Sequence, residues 1–291
     1  MITLENVHQP LDGFALHIGR LRINPGLTLL VGANGAGKTT LLELLATLQM
    51  PRRGTILYRQ RSAGDDLPLL RSQIGYVPAE IELYEEMTVY RLLAYLAELK
   101  GVYRAERIDG LLRDFRLDEY RNVKIRRLSL GIRRRIAIAQ SLLAAPYFLF
   151  LDEPMNAMDS AERKMAISYL SRYAAGKTVV AAVHELNEWE AAADHVLWLD
   201  RGGIRFEGER AQWTSNLPLN VWEGMISTDD LARCPEQNLI FFREKPEGMY
   251  VRLVGKNRPF PGLTAAEPSM EDAYFVRRRS RSNKEAAGEF R

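Results

Sequence analysis

Cysteine is nearly absent from this chain, which has Cys234 alone among 291 residues. A single thiol excludes an intramolecular disulfide and favours a reducing compartment. Long apolar runs are missing too, since none approaches the roughly 18 residues that a membrane-spanning helix requires. The N-terminus lacks the basic, apolar and small-residue pattern of a signal peptide. We therefore expect a cytoplasmic chain that does not itself cross a membrane.

An excess of charge of one sign is also absent. The 40 lysines and arginines nearly balance the 37 acidic residues, and the net charge of +3 does not by itself indicate nucleic-acid binding. Hydrophobic residues at 46% and charged residues at 26% are typical of a soluble globular protein. The length predicts one large α/β domain with an appendage, or two domains.

The glycine-rich segment 32–39 has the spacing of a phosphate-binding loop, G-x-x-x-x-G-K-T. The apolar run 27–31 before it has strand length, and residues 40–48 after it have a helical pattern. In such a loop, backbone N–H groups face phosphate oxygens at a helix N-terminus. The segment therefore predicts nucleoside triphosphate binding, with Lys38 on the β and γ phosphates and Thr39 on Mg²⁺. The weaker alternative is a glycine-rich turn without a ligand.

Two carboxylates follow a second apolar strand, which covers residues 147–151. Ligands of parallel sheets collect at the carboxyl ends of the strands, where the phosphate loop also lies. We expect Asp152 to hold Mg²⁺ through water and Glu153 to orient or deprotonate an attacking water. The alternative is a pair of solvated charges at a strand end.

The remaining pattern predicts the organisation of the chain. Strands alternate with helices up to residue 208, which favours a parallel sheet covered by helices. Two strands precede the phosphate loop, and helical spacing at about 80–145 predicts an inserted helical subdomain. Residues 209–276 have the short strands of a small α+β accessory region, and residues 277–291 are expected to form a basic, disordered tail.

The order of these motifs resembles the ATP-binding subunits of ABC transporters over residues 1–208. The phosphate loop and Asp152-Glu153-Pro154 carry the resemblance together with four further features: residues 74–78 (Ile-Gly-Tyr-Val-Pro), residues 128–131 (Leu-Ser-Leu-Gly), Asp159 and His184. It implies an α/β P-loop NTPase of ABC type, with N-terminal antiparallel strands, a central mostly parallel sheet, a helical subdomain and a small C-terminal α+β appendage.

The resemblance also implies cofactors, roles and partners. ATP and Mg²⁺ would be bound by two subunits that dimerise head to tail, with Glu153 and His184 as catalytic residues and with Thr39 and Asp152 at the metal. The homodimer or heterodimer would drive a separate membrane permease from the inner face of the cell membrane. Nucleotide contacts are expected from Asn34, Gly35, Ala36, Gly37, Lys38, Thr39 and Thr40 of one subunit, and from Ser129, Gly131 and Asp159 across the dimer.

Three positions depart from the family pattern. Leu130 replaces a signature glycine, and we expect it to crowd the phosphate or to require an altered backbone angle. Ala79 replaces a glutamine and can neither ligate Mg²⁺ nor position water. Leu11 lies near the place of the aromatic residue that usually stacks on adenine.

Two segments, one rich in arginine and one near the C-terminal end of the sequence, provide information about the partners of the chain. Arg126–Arg127 and Arg133–Arg135 could suggest nucleic-acid binding, but their place beside the signature segment favours a solvated or subunit-contacting face. Residues 267–275 resemble the closing segment of bacterial drug, antibiotic and polysaccharide exporters.

The sequence therefore predicts a Mg²⁺-dependent ATPase subunit for export, without nucleic-acid binding. The main alternative is a weakly hydrolytic or regulatory subunit paired with a more competent one, as Leu130 and Ala79 suggest. A soluble ABC ATPase acting on ribosomes or DNA would be expected to carry two cassettes or a long coiled-coil insertion, and the chain has neither.

Overall fold

A computed structural model describes residues 1–286, which fold as two compact units. The first unit contains Met1–His184 and Ala191–Glu209, and the second contains Glu185–Glu190 together with the chain from Arg210. The main division between the units, after Glu209, lies close to the boundary expected near residue 208. The segment Glu185–Glu190, which precedes this boundary, nevertheless belongs to the second unit. Residues 287–291 of the expected tail lie outside the described residues.

The first unit consists of two sheets and the helices that follow their strands. Its strands are β1 (Ile2–Leu11), β2 (Phe14–Ile23), β3 (Gly26–Val31), β4 (Arg53–Tyr58), β5 (Arg61–Ser62), β6 (Ile74–Val77), β7 (Phe148–Asp152), β8 (Thr178–Ala182), β9 (His195–Asp200) and β10 (Gly203–Glu209). Its helices are α1 (Lys38–Leu45), α2 (Leu67–Ser72), α3 (Val89–Leu99), α4 (Ala105–Asp114), α5 (Leu130–Ser141) and α6 (Ser160–Tyr173).

The central sheet has the strand order β10-β9-β3-β8-β7-β6. Strands β6, β7, β8, β3 and β9 run parallel to their neighbours, and β10 pairs antiparallel with β9. Because β7 and β8 are buried along their whole length, they consist of apolar residues almost without interruption. The carboxyl ends of β3, β7 and β8 therefore present the phosphate loop, Asp152 and His184 at one edge of the sheet.

A second sheet of order β2-β1-β4-β5 is antiparallel and shares a core with α1. The helical segment between β6 and β7 contains α3, α4 and α5, within the predicted range of about 80–145. Thr88 caps α3 by accepting a hydrogen bond from the Arg91 backbone N–H, and Val89, Leu92 and Leu93 are fully buried. This amphipathic pattern explains why the insertion folds as helices.

The second unit is built on an antiparallel sheet whose strands lie in the order 239–245, 248–255, 220–226 and 263–266. Val251 and Leu253 pack on one face of this sheet, and Val254 packs with Val276 on the other. The expectation of a disordered tail from Arg277 is wrong for residues 277–286, which continue the last helix. The elements are α7 (Arg210–Thr214), β11 (Asn220–Ile226), α8 (Thr228–Arg233), β12 (Leu239–Lys245), β13 (Gly248–Gly255), β14 (Leu263–Ala266) and α9 (Met270–Ala286).

Across residues 1–286, we find no helix with both the length and the apolar character needed to cross a membrane.

Candidate nucleotide site

The phosphate loop connects β3 to α1, and its glycines adopt conformations that other residues rarely take. Gly35 and Gly37 have φ angles of +74° and +102°, and Gly37 directly precedes Lys38, the first residue of α1. This turn leaves the first N–H groups of α1 without intrahelical partners, as at any helix start. The loop therefore forms an anion-attracting helix N-terminus.

Lys38 is held inside this loop. Its side chain is buried, and its Nζ donates hydrogen bonds to the Gly32 and Ala33 carbonyl oxygens at 2.8 and 3.2 Å. Burial lowers the pKa of the Lys38 ammonium below its usual value, while Glu153 and Asp152 oppose this shift. The ammonium is thus a partly desolvated cation fixed at the centre of the loop.

Thr39 and Asp152 meet although they are 113 residues apart. The Thr39 hydroxyl donates to Asp152 Oδ2 at 2.6 Å, and Asp152 is only 1% exposed at the end of β7. Burial raises the pKa of the Asp152 carboxyl, and the hydrogen bond from Thr39 opposes this shift. Hydroxyl and carboxylate oxygens are donors that Mg²⁺ prefers.

The chemistry of this donor pair fits Mg²⁺ bound with a nucleotide. Between Met1 and Ala286 there is no group of three or more His, Cys, Asp or Glu side chains that could hold a metal ion. A magnesium ion at Thr39 and Asp152 would need further oxygen ligands from phosphate and water, as is usual for this ion.

Glu153 follows Asp152 and has a left-handed backbone with φ of +48°, which is uncommon for a residue other than glycine. Its Oε1 accepts a hydrogen bond from His184 Nε2 at 2.5 Å, and its Oε2 accepts one from Asn156 Nδ2 at 2.6 Å. Burial opposes ionisation, but the bonds from His184 and Asn156 bring the pKa of Glu153 below its usual value. Glu153 is therefore a carboxylate with both oxygens oriented.

An open cleft of about 390 Å³ is lined by Lys38, Thr39 and Glu153, whereas Asp152 and His184 do not line it. Ala36, also predicted as a contact, is a buried residue of the loop and does not line the cleft. The residues lining the cleft are Leu11, Asp12, Phe14, Asn34, Gly35, Gly37, Lys38, Thr39, Thr40 and Glu153.

Sequence reasoning missed two residues of this region. Phe14 lines the cleft from the start of β2, three residues after the position considered for an aromatic side chain. Asn156 holds Glu153, and its spacing of three residues from the carboxylate on a turn is the signal that could have revealed it.

Ser129 and Gly131 lie at the start of α5 and do not line the cleft. The Ser129 hydroxyl caps this helix by accepting from the Ile132 backbone N–H at 3.4 Å. Gly131 has a packing role, since a Cβ there would lie 2.6 Å from the Ala157 carbonyl oxygen. A side chain at position 131 would therefore collide with backbone.

Leu130 has none of the expected backbone strain. It is the first residue of α5 and does not belong to the residues with positive φ. Its side chain is 59% exposed, so it crowds nothing within this chain. The expected altered backbone angle is therefore wrong, and any crowding would have to involve a bound partner.

Asp159 is the N-cap of α6, and it also lies outside the cleft lining. Its Oδ1 accepts from the Ala161 and Glu162 backbone N–H groups, while Glu162 accepts from the Asp159 N–H. This reciprocal capping box fixes the start of the helix and leaves Asp159 exposed.

The expectation of a solvated arginine face is wrong for Arg134 and Arg135, which are 4% and 5% exposed. Arg134 donates to the Pro78 and Ala79 carbonyl oxygens at 2.8 and 2.6 Å. Arg135 donates to the Phe115 carbonyl oxygen at 2.9 Å and forms a salt bridge with Glu162. Consecutive residues of a helix point in different directions around its axis, and the side chains of Arg134 and Arg135 point into the protein.

Comparisons with known proteins identify the family of the chain. A family model described as ABC transporter matches residues 17–156. The uncharacterized ABC transporter ATP-binding protein YxlF of Bacillus subtilis is 31% identical over 231 residues, which cover 76% of this chain and 75% of YxlF. The Nod factor export ATP-binding protein I of Cupriavidus metallidurans is 33% identical, over 65% of this chain and 64% of its own length.

Other relatives are much longer than this chain. It spans 4% of the human ATP-binding cassette sub-family A member 13, at 28% identity over 70% of the present chain. It spans 14% of the rat sub-family A member 17, at 31% identity over 84% of the present chain.

Solved structures confirm the predicted fold class. The ATP-binding cassette MJ0796, in a dimeric post-hydrolysis state bound to ADP and Pi, superposes with a TM-score of 0.65 at 24% identity, over 72% of this chain and 99% of that one. An ATP-binding subunit of another ABC transporter gives a TM-score of 0.66 at 23% identity, over 73% and 91% of the two chains. The present chain belongs to the ATP-binding proteins of ABC transporters.

Proposed function

We propose that this chain binds ATP with Mg²⁺ and hydrolyses it to ADP and phosphate, and that it drives a separate permease. The observation that carries the proposal is Glu153, whose carboxylate is oriented by His184 and Asn156 beside the phosphate loop. An ionised, positioned carboxylate at the end of a strand is suited to act on a water molecule. Neither a plain nucleotide-binding turn nor solvated strand-end charges require this arrangement.

In this proposal the loop from Asn34 to Gly37 directs N–H groups at the phosphates, and Lys38 and Thr40 add side-chain contacts. Thr39 and Asp152 would hold Mg²⁺, which when bound neutralises phosphate charge. Leu11 and Phe14 line the same cleft and offer an apolar platform for the base.

Glu153 would accept the proton of the attacking water, since its lowered pKa keeps the carboxylate ionised and bonds from His184 and Asn156 orient its two oxygens. His184 donates to Glu153 and would turn toward the γ-phosphate when nucleotide is bound. Asn156 would keep the second Glu153 oxygen oriented.

Dimerisation would complete the site. Ser129 and Asp159 are exposed, and Gly131 packs closely against the Ala157 carbonyl oxygen at the start of α5. These residues would lie at the interface with a second ATPase subunit and would contact the nucleotide bound to that subunit. We also propose that the chain binds no nucleic acid, because Arg134 and Arg135 are already bonded to protein groups.

The helical segment offers a surface for the permease. Tyr84, Tyr95 and Tyr103 are exposed there, and Tyr84 and Tyr95 form an edge-to-face pair at 5.9 Å. Docking here would place the chain on the cytoplasmic face of a membrane through its partner. The Cupriavidus relative is named for export. Residues 267–275 resemble the closing segment of bacterial exporters. Both observations support export as the direction of transport.

A weakly hydrolytic or regulatory subunit remains the second candidate, and specific residues favour it. Ala79 offers no polar side chain, and its carbonyl is bonded by Arg134. Leu130 would place an exposed aliphatic side chain toward the nucleotide of a partner subunit.

Mg²⁺-dependent ATP turnover of the purified chain and of Leu130→Gly separates these candidates. Turnover by the unmodified chain, changed less than about threefold in Leu130→Gly, would support a self-sufficient ATPase. Turnover that requires Leu130→Gly or a partner subunit would instead support the second candidate. Leu69→Gly is the matched control, since Leu69 is an exposed leucine in the first turn of α2.

A further inference from the structure

The chain passes from the first unit to the second immediately after His184. Residues Glu185–Glu190 belong to the second unit, although the sequence places them between strands β8 and β9 of the first. His184 is the residue whose Nε2 lies 2.5 Å from Glu153 Oε1. One peptide bond therefore joins this histidine to a segment that folds with the C-terminal part of the chain.

Asn187 and Glu271 hold this segment within the second unit by three hydrogen bonds. Asn187 Nδ2 donates to Glu271 Oε2 at 3.0 Å, and the Asn187 backbone N–H donates to Glu271 Oε1 at 3.5 Å. In return, the Glu271 backbone N–H donates to Asn187 Oδ1 at 3.2 Å. The two residues thus use both side chains and both backbone N–H groups toward one another.

The helix position of Glu271 explains this reciprocity. Glu271 is in the first turn of α9, where backbone N–H groups have no partner within the helix. Asn187 Oδ1 takes one of these N–H groups, and the Glu271 carboxylate is itself favoured at a helix N-terminus. The segment after His184 therefore acts as part of the cap of α9.

The start of α9 is a fixed support. Asp272 is 3% exposed and forms a salt bridge with Arg252 at 2.6 Å. The Ser269 N–H donates to Asp272 Oδ2, and the Asp272 N–H donates to Ser269 Oγ. The buried Trp213 donates from Nε1 to the Met270 carbonyl oxygen at 3.0 Å.

We propose that Asn187 and Glu271 are a positioning pair, which fixes the segment that follows His184 and thereby sets the placement of His184 against Glu153. This inference rests on the proposed ATPase function. The pair does not line the nucleotide cleft, so it would affect turnover and not nucleotide affinity. Both side chains are exposed, and exposed polar pairs contribute little to the stability of a fold.

The test is a reciprocal exchange of amide and carboxylate. Asn187→Asp places a second carboxylate against Glu271 and removes the Nδ2 donor. Asn187→Asp combined with Glu271→Gln allows all three bonds. The carboxylate at position 187 accepts from the new amide and from the backbone N–H of residue 271, and the amide oxygen at position 271 accepts from the backbone N–H of residue 187. We expect kcat to fall roughly 2- to 30-fold in the single variant, the range typical of coupling through a network, and to return in the double variant.

KM for ATP and the thermal unfolding temperature should change little in either variant, which separates positioning from a structural role. Asp230→Asn is the matched control, since the Asp230 carboxylate accepts a hydrogen bond from the Ser227 hydroxyl in the same unit. It should leave kcat unchanged. An unchanged kcat in Asn187→Asp, or a loss that the double variant does not restore, would overturn the inference while the ATPase function stands.

A readout independent of turnover keeps the two proposals separable. The ring resonances of His184 can be assigned with a His184→Gln variant, because the chain has only four histidines. We expect these resonances to move in Asn187→Asp and to return in the double variant, even if the chain fails to hydrolyse ATP. Resonances that stay unmoved would overturn the inference whatever the turnover of the unmodified chain.

Discussion

Replacing Gly131 with alanine tests how the start of α5 is packed. The added Cβ would lie 2.6 Å from the Ala157 carbonyl oxygen and 3.3 Å from Glu162 Oε2. A carbon atom cannot stay 2.6 Å from a backbone oxygen, so α5 or the turn that contains Ala157 must shift. Such overpacking costs about 1–3 kcal/mol of unfolding free energy.

Thermal unfolding of the chain without added nucleotide measures this cost. The first unit has about 200 residues, and 1 kcal/mol shifts the Tm of a unit of that size by roughly 2–4 °C. We therefore expect Gly131→Ala to lower the Tm of the first unit by about 2–12 °C.

Gly110→Ala is the matched control. Gly110 is in the interior of α4, and a Cβ there would meet nothing within 4 Å. Because alanine is favoured over glycine in a helix by about 0.5–1 kcal/mol, this variant should unfold at a higher temperature than the unmodified chain. If Gly131→Ala unfolds at or above the Tm of the unmodified chain, the start of α5 accepts a side chain at position 131 without a packing cost.

Three further variants test the electrostatics of the site. Asp152→Asn should abolish Mg²⁺-dependent turnover and raise the Tm at neutral pH. Burial raises the pKa of Asp152 in the folded chain, so the ionised carboxylate costs stability once the pH exceeds the pKa of Asp152 in the unfolded chain. Asn156→Ala should move the acid limb of the pH–kcat profile to higher pH, because it removes a bond that lowers the pKa of Glu153. Arg134→Gln should cost about 1–3 kcal/mol in thermal unfolding, because its bonds to the Pro78 and Ala79 carbonyl oxygens are lost.

Contrary results would locate the error in each case. A lower Tm in Asp152→Asn would mean that the ionised carboxylate stabilises the folded chain. An unmoved acid limb in Asn156→Ala would mean that the acid limb of the pH–kcat profile does not report the ionisation of Glu153. An unchanged Tm in Arg134→Gln would mean that its two carbonyl partners find water at no cost.

The motifs at strand ends were predictable because they are local. The loop at 32–39 and the carboxylates after β7 each combine an apolar strand with polar residues at its carboxyl end. Parallel pairing then brings them to one edge, and Thr39 meets Asp152 as that topology requires. Short spacing and one topological rule were sufficient for these residues.

Features that depend on three-dimensional packing were not predictable in the same way. Arginines in sequence suggest a solvated face, but Arg134 and Arg135 are buried because backbone carbonyl oxygens from distant segments accept their N–H groups. The pairing of Asn187 with Glu271 spans 84 residues and leaves no local pattern. The basic composition after Arg277 suggested disorder, yet α9 continues to residue 286.

The role of Glu153 as the catalytic base is tested by single-turnover and steady-state hydrolysis of Mg²⁺–ATP. The unmodified chain is compared with Glu153→Gln, and light scattering follows dimerisation. We expect turnover in the unmodified chain and a loss of about 100-fold or more in Glu153→Gln, which would accumulate as an ATP-bound dimer. Turnover in Glu153→Gln within a few-fold of the unmodified chain would contradict the assignment of Glu153 as the catalytic base.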